Sequence, residues 1–358
     1  MSISNLGWTP FFSQTLEQFD APGLKPARVF RQDKHRFLVH TGSDIVPSIL
    51  TGSLTSRLAA AGDSVTVGDW VLVTADLNSE TQSIHELLPR RSAFKRKSAG
   101  AATREQVVAA NLDIVFLISG LDGDFNLRRI ERYVTQAWSS GATPVILLNK
   151  ADVCDDVEGR LTAARAVAPG VDVHTVSARN GTGVEEIEEY LRPGVTIALL
   201  GSSGVGKSTL LNWLMGERRM EVGEVREDDS RGRHTTTHRE MIILPSGALL
   251  IDTPGMRELQ LWSSSEDLQR TFADVSDLAA RCRFNDCSHT TEPGCAVLEA
   301  LERGDLDEDR YRSHQKLEKE VAYLERRKDD SAAFAQRQHE RELTRLYRRT
   351  IKQKRDRR

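Results

Sequence analysis

No apolar run in this chain approaches the roughly 18 residues that a membrane-crossing helix needs, and its first residues lack the basic-then-apolar pattern of a secretory leader. The expected compartment is therefore the cytoplasm. Cysteine is scarce, four in 358 residues, and three of the four crowd into one short segment. An odd number of thiols there, in a compartment that keeps thiols reduced, argues against disulfides. A dominant charge is also missing. With 49 basic and 52 acidic side chains the net charge is −3, so attraction to nucleic acid has to come from local clusters rather than a global field. What remains is ordinary for a globular protein: 39% hydrophobic and 28% charged residues, in a length sufficient for two or three domains with their own cores.

Against that background one set of motifs stands out, and its order is unusual. Asn149-Lys150-Ala151-Asp152 and Ser177-Ala178 have the form of guanine-reading loops, yet they precede Gly201-Ser202-Ser203-Gly204-Val205-Gly206-Lys207-Ser208-Thr209, which has the form of a phosphate loop. Asp252-Thr253-Pro254-Gly255 comes last. A nucleotide pocket needs these groups close in space, not in a set chain order. The pattern predicts a circularly permuted P-loop GTPase.

Each motif sits where its chemistry requires. Val195 to Leu200 reads as a buried strand and Thr209 to Met215 as a helix, so the glycine-rich turn joins strand to helix. Its backbone N–H groups can then face phosphate oxygens at a helix N-terminus. Lys207 is the candidate for the β- and γ-phosphates and Ser208 for Mg²⁺. Asp252 ends the apolar run from Ala248 to Ile251 and is expected beside the phosphate loop, near the magnesium shell, with the Gly255 amide at the γ-phosphate. Asp152 carries guanine choice, because a carboxylate paired with the ring N–H and exocyclic amine of guanine finds no matching donors on adenine. Asn149 is expected to brace the loop, the Lys150 stem to lie along the base, and the Ala178 amide to meet the guanine oxygen.

One expected group is absent. Many GTPases place a glutamine after Asp-x-x-Gly to orient the attacking water, and here that position is Met256. Intrinsic hydrolysis is thus expected to be slow. His234 is the nearest candidate for the task, with contact to RNA or solvent as the alternative, and Thr236 or Thr237 is the candidate switch hydroxyl for Mg²⁺.

The flanks carry further chemistry. Short β-type runs at Arg28 to Phe30, Phe37 to His40, Val65 to Val67, Trp70 to Val73 and Ser83 to Leu88 suggest a small barrel of the OB-fold kind, able either to bind RNA or simply to pack on its neighbour. Residues 1–26 show no periodicity. Arg90 to Lys97 forms a basic joint, a clamp for RNA phosphates or a solvated run. Asn111 to Ile118 and Val145 to Leu148, around a helical stretch from Leu127 to Trp138, open an α/β unit. Beyond it Cys282, Cys287, His289 and Cys295 follow C-x4-C-x-H-x5-C, a closed four-ligand set for a structural Zn²⁺. Cys154 reads as an ordinary small side chain. Leu317, Val321 and Leu324 form a helical stripe expected to pack on the zinc module. The end from Arg341 to Arg358 is strongly basic, an arm for RNA or a solvated tail. The expected divisions are 1–26, 27–97, 98–262 and 263–358.

Taken with Gly232-Arg233-His234-Thr235-Thr236-Thr237 and Cys282-Arg283-Phe284-Asn285-Asp286-Cys287-Ser288-His289, these motifs resemble the ribosome small-subunit-dependent GTPase A family (RsgA/YjeQ) over nearly the whole chain. The resemblance implies an N-terminal OB-fold barrel, a permuted GTPase and a helical zinc-binding module. It also implies a late assembly factor that binds the small (30S) ribosomal subunit and its rRNA and leaves after subunit-stimulated GTP hydrolysis, with Mg²⁺ accompanying GTP and one Zn²⁺ held structurally. From the residues alone, an RNA-binding scaffold that keeps GTP as a structural ligand is the other reading. An ordinary translation factor is disfavoured by the permutation.

Overall fold

In the computed structural model of the chain, residues 2–19, 21–33, 36–74, 80–97, 105–216, 239–252 and 264–326 are described. His234, Thr236, Thr237, Gly255 and Met256 lie outside them, as do the motif from Gly232 and the basic end from Arg341.

The chain begins with a 3-10 turn at Ile3–Leu6 and a helix α1 at Pro10–Leu16. These residues, unperiodic in sequence, are packed: Leu6 and Phe12 are buried, and Trp8 meets the edge of Trp70 at 4.7 Å between ring centres. A barrel follows, made of β1 (Leu24–Gln32), β2 (Phe37–His40), β3 (Ile45–Leu50), β4 (Trp70–Thr74) and β5 (Gln82–Leu87). Strand β1 pairs with both β2 and β4, β3 runs parallel to β5, and β5 pairs with β4, which closes the five strands into a ring. Ala27, Val29, Val39, Val71, Val73 and Ile84 fill the interior, and Leu54 packs against them from helix α2 (Gly52–Ala61), which lies in the chain between β3 and β4.

One sequence reading of the barrel is corrected, and one strand is not read from the sequence. Val65 to Val67 is not a strand, although Val65 and Val67 are buried; the Thr66 N–H donates to Asp69 Oδ2 at 2.8 Å, and the chain turns there instead of extending. Strand β3 goes unread because Pro47 interrupts its pattern, and proline within a run argues against a strand.

The basic joint is also something other than a free run. Its second half is β6 (Ala93–Lys97), paired with β7 (Glu105–Ala110) as a hairpin. Arg90 donates to Asp69 at 2.6 Å and to Asp63 at 2.9 Å, and Arg91 to Asp113 at 3.1 Å, so both cations serve carboxylates of this chain. Arg28 is wholly buried nearby and donates to the carbonyls of Leu6, Gly68 and Asn111, which fastens the N-terminal turn, the barrel and the start of the α/β unit together. Burial pulls its pKa down to about 10, against the opposing pull of Asp113 and Asp69.

The α/β unit comprises β8 (Ile114–Gly120), α3 (Leu127–Ser140), β9 (Thr143–Asn149), α4 (Val157–Val167), β10 (Asp172–Thr175), β11 (Thr196–Gly201), α5 (Lys207–Met215), β12 (Arg239–Ile243) and β13 (Leu249–Asp252). Its sheet runs β10-β9-β8-β11-β13-β12, parallel up to β13 and antiparallel at β12. Strands β8, β9 and β11 are apolar along almost their whole length because helices and loops cover both faces, as parallel sheets require. The chain leaves β8 toward β9 and β10, then returns on the other side through β11. The crevice between β8 and β11 is therefore a topological switch point, the place where such sheets bind ligands at their carboxyl ends. Strand β12 also pairs with β1, Glu240 opposite Arg31, so the sheet continues into the barrel.

The C-terminal module consists of α6 (Ser265–Thr271), α7 (Ala273–Ala279), α8 (Ala296–Arg303) and a helix α9 over residues 308–326. Leu268, Phe272, Val275, Val297, Leu317 and Val321 form its core, with Cys282 and Cys287 packed against it. Leu324, the third residue of the stripe, is half-buried and instead lines a cavity with Phe94 and Gln136 of the neighbouring unit.

Arg310 docks the module on the α/β unit. It is 5% exposed and donates to Asp274 at 2.6 Å, to Glu131 of α3 at 2.9 Å, and to the carbonyls of Val167 and Thr271 at 3.0 and 3.1 Å. Truncation would leave Glu131 buried with much of its compensation gone. Arg310→Ala is expected to destabilise the chain by about 3–5 kcal/mol, measured by denaturant unfolding; a loss under about 1 kcal/mol would refute the docking role.

Candidate nucleotide site and metal centre

Strand β11 ends at Gly201 and α5 begins at Lys207, so Ser202 to Gly206 form the turn between them. The Lys207 ammonium donates to the carbonyls of Gly201, at 2.8 Å, and Ser202, and so lies across the curl of its own loop. Gly206 takes φ 98°, and a Cβ there would fall 2.3 Å from Asn149 Nδ2. Only glycine fits.

Asn149 ends β9 and is 3% exposed. Its Nδ2 donates to the Val205 carbonyl at 2.7 Å, and its Oδ1 accepts the Ala178 N–H at 2.9 Å. One amide side chain thus ties together three segments that lie 56 and 29 residues apart in sequence. The Ala178 amide, expected at the guanine oxygen, is given to Asn149. Asp152 accepts from the Ser177 hydroxyl at 2.6 Å, which fixes the carboxylate beside the second base loop. Lys150 adopts φ 69° and its ammonium reaches Asp122 Oδ2 at 2.6 Å. Partial burial works against ionising Asp122, but the Lys150 ammonium and the Asp124 amide outweigh it and hold the carboxyl below its usual range. Asp122 lies on the loop after β8, which carries no recognisable motif; only the tertiary contact with Lys150 marks it.

Ser208 lies half-buried in the first turn of α5. The β13 backbone pairs in parallel with β11, Ile251 opposite Ala198, and this places Asp252 at the same sheet edge as the phosphate loop. Thr209 follows within α5, and Ser203 and Gly204 are exposed at the loop tip.

The second site is compact. The ligand atoms of Cys282, Cys287, His289 and Cys295 all lie within 4.8 Å of one another. Cys282 Sγ is 3.8 Å from Cys295 Sγ and 3.5 Å from His289 Nδ1, which is 3.3 Å from Cys295 Sγ. A tetrahedral zinc ion with bonds of about 2.3 Å to sulfur and about 2.0 Å to nitrogen has edges of about 3.8 Å and about 3.5 Å, so the donor set fits. His289 takes φ 55° to turn inward. Cys295 caps α8 and its sulfur accepts the Leu298 N–H at 3.5 Å, a helix terminus suited to thiolate charge.

A parallel sheet with a phosphate loop at its switch point, base-reading loops that come earlier in the chain, a five-stranded barrel before them and a Cys3His module after them define a circularly permuted GTPase. The family model described as RsgA GTPase matches residues 87–262. The small ribosomal subunit biogenesis GTPase RsgA of Opitutus terrae is 46% identical over 346 residues, covering 94% of each chain, and the small ribosomal subunit biogenesis GTPase RsgA 2 of Vibrio parahaemolyticus is 41% identical over 355 residues, 99% of this chain and 94% of its own. The crystal structure of YjeQ from Thermotoga maritima superposes with a TM-score of 0.63 at 27% identity, covering 84% of this chain and 99% of that one. YloQ, described as a circularly permuted GTPase, shares the fold with a TM-score of 0.62 at 23% identity, covering 85% and 97%. The chain belongs to the RsgA family of GTPases.

Proposed function

We propose that this GTPase acts as a late assembly factor of the small ribosomal subunit, binding rRNA and leaving after hydrolysis that the subunit stimulates. The observation that carries the reading is Asn149: its contacts with Val205 and Ala178 bring base loops and phosphate loop into one pocket despite their permuted order. Relatives that match nearly end to end are named for biogenesis of that subunit.

In the pocket, Gly201 to Thr209 cradle the phosphates and Lys207 faces the β- and γ-phosphates. Ser208 and Asp252, with Thr236 or Thr237, hold Mg²⁺, which when bound neutralises charge on the transferring phosphoryl group. Gly255 senses the γ-phosphate, and His234 orients the water that Met256 cannot. Asp152 reads guanine, with Asn149, Lys150, Ala151, Ser177 and Ala178 shaping its loop. Cys282, Cys287, His289 and Cys295 hold one structural Zn²⁺. The protein works in the cytoplasm as a monomer, away from membranes; among the described residues no helix is long and apolar enough to cross one. We divide the chain into an extension at 1–26, an OB-fold barrel with its basic joint at 27–97, the permuted GTPase unit at 98–262 and a metal-binding helical module with its basic tail at 263–358.

The test is GTP turnover with and without purified small subunits, and co-sedimentation at fixed salt with a non-hydrolysable GTP analogue or GDP. Stimulated turnover, tighter binding with the analogue and binding that weakens with salt are expected. Equal affinity in both nucleotide states together with unstimulated turnover would leave a constitutive binder and defeat the reading.

A further inference from the structure

Behind the phosphate loop lies a polar contact that no nucleotide-binding motif contains. The Ser202 hydroxyl donates to Asp124 Oδ2 at 2.6 Å, and Arg129 of α3 donates to Asp124 Oδ1 and, at 3.2 Å, to Ser202 Oγ. Asp124 lies on the loop after β8, so the contact crosses the switch-point crevice between β8 and β11. Asn126 caps α3 by accepting the Arg129 N–H at 3.0 Å, and the Asp124 N–H donates to Asp122, the residue that grips Lys150.

Ser202 is thereby held on two sides. Its carbonyl accepts from the Lys207 ammonium, while its hydroxyl is drawn to Asp124. Rotation of the Ser202 peptide would move the carbonyl that aims Lys207. A carboxylate bound to both a hydroxyl and a guanidinium is a strong, directional anchor.

We propose that Asp124, clamped by Arg129, is a positioning residue for the GTPase reaction: it fixes Ser202, and through the Ser202 carbonyl it sets the aim of Lys207 at the phosphates. The inference rests on the proposed role of Lys207. Base recognition runs through Asn149 and Asp152, whose side chains bond Val205, Ala178 and Ser177; the link from Asp124 to the Lys150 loop is its backbone N–H to Asp122, which a substitution at Asp124 retains.

The experiment compares Asp124→Ala, Asp124→Asn, Ser202→Ala and the Asp124→Ala/Ser202→Ala double variant, with Lys207→Ala as control, in the full-length protein. Asp124→Ala is expected to lower kcat/KM for GTP on the order of tenfold to a hundredfold, the scale of a small misplacement of a catalytic group. The preference for GTP over ATP and the thermal midpoint should stay near wild type, and Asp124→Asn, which keeps an acceptor for Ser202, should recover part of the loss. The double variant should be no worse than the poorer single one, since both remove one contact. Additive losses, or a loss in Asp124→Ala matched by a fallen thermal midpoint and a changed base preference, would overturn the positioning role. If Lys207→Ala itself retained turnover, the reading of the loop would fail instead, whatever Asp124 did.

Discussion

Lys207→Ala is expected to reduce GTP turnover on the order of 10³-fold, because it removes the one cation that the loop itself aims at the transferring phosphoryl group. The ammonium already bridges the carbonyls of Gly201 and Ser202. Its position is set by the backbone of its own loop, and charge held in place this way acts on the transition state with little reorganisation. Ser208→Ala should be comparably damaging through loss of a magnesium ligand. Asp152→Asn should behave differently: turnover persists, while the preference for guanine relaxes, since the site loses the acceptor that adenine cannot match. Single-turnover assays with GTP and ATP separate the two effects. Turnover near wild type in Lys207→Ala would sink the assignment of the loop.

Removal of the metal is the second large effect. Purified protein is expected to contain about one zinc per chain, and Cys287→Ala or His289→Ala should abolish stoichiometric binding and unfold the loop from Cys282 to Cys295 within the C-terminal module. The reason is local. The loop from Cys282 to Cys295 holds one large apolar side chain, Phe284, which is exposed, and its four donor atoms lie within 4.8 Å of one another, one of them brought in through the left-handed turn at His289. Apparent binding energies of structural zinc sites, about 10–16 kcal/mol, exceed what that loop can supply by packing. GTP binding should survive, because the nucleotide loops belong to the β8 to β13 sheet. Full zinc content in a Cys282→Ala/Cys287→Ala double variant, measured by metal analysis, would exclude the cluster.

The phosphate-loop motif, the Asn149-Lys150-Ala151-Asp152 motif and the Cys3His cluster were legible in the chain because each depends on a local pattern of residue types at short spacing. Strands β8, β9, β11 and β13 were legible because buried parallel strands are continuous apolar runs. Strand β3 was not, since Pro47 breaks its signal, and Val65 with Val67 misled because burial alone does not make a strand. The run from Arg90 suggested an open basic patch; Arg90 and Arg91 turned out to face Asp69, Asp63 and Asp113, partners as much as 27 residues away. Asp122 and Asp124 gave no signal at all, being two acids in a polar turn.

By itself, then, the sequence determined the class of this protein: the motifs of a GTPase in permuted order and a Cys3His cluster able to hold a metal ion, since both reside in short motifs of particular residue types. Only the tertiary structure decided which charges remain available and how the parts are joined. Arg28, Arg90 and Arg310 are bound to carbonyls and carboxylates distant in the chain, and Asn149 and Asp124 each reach a loop more than fifty residues away. The physical reason is that a buried polar group must find a partner wherever the fold brings one, and that choice is made by strand order and helix docking, not by neighbours in sequence.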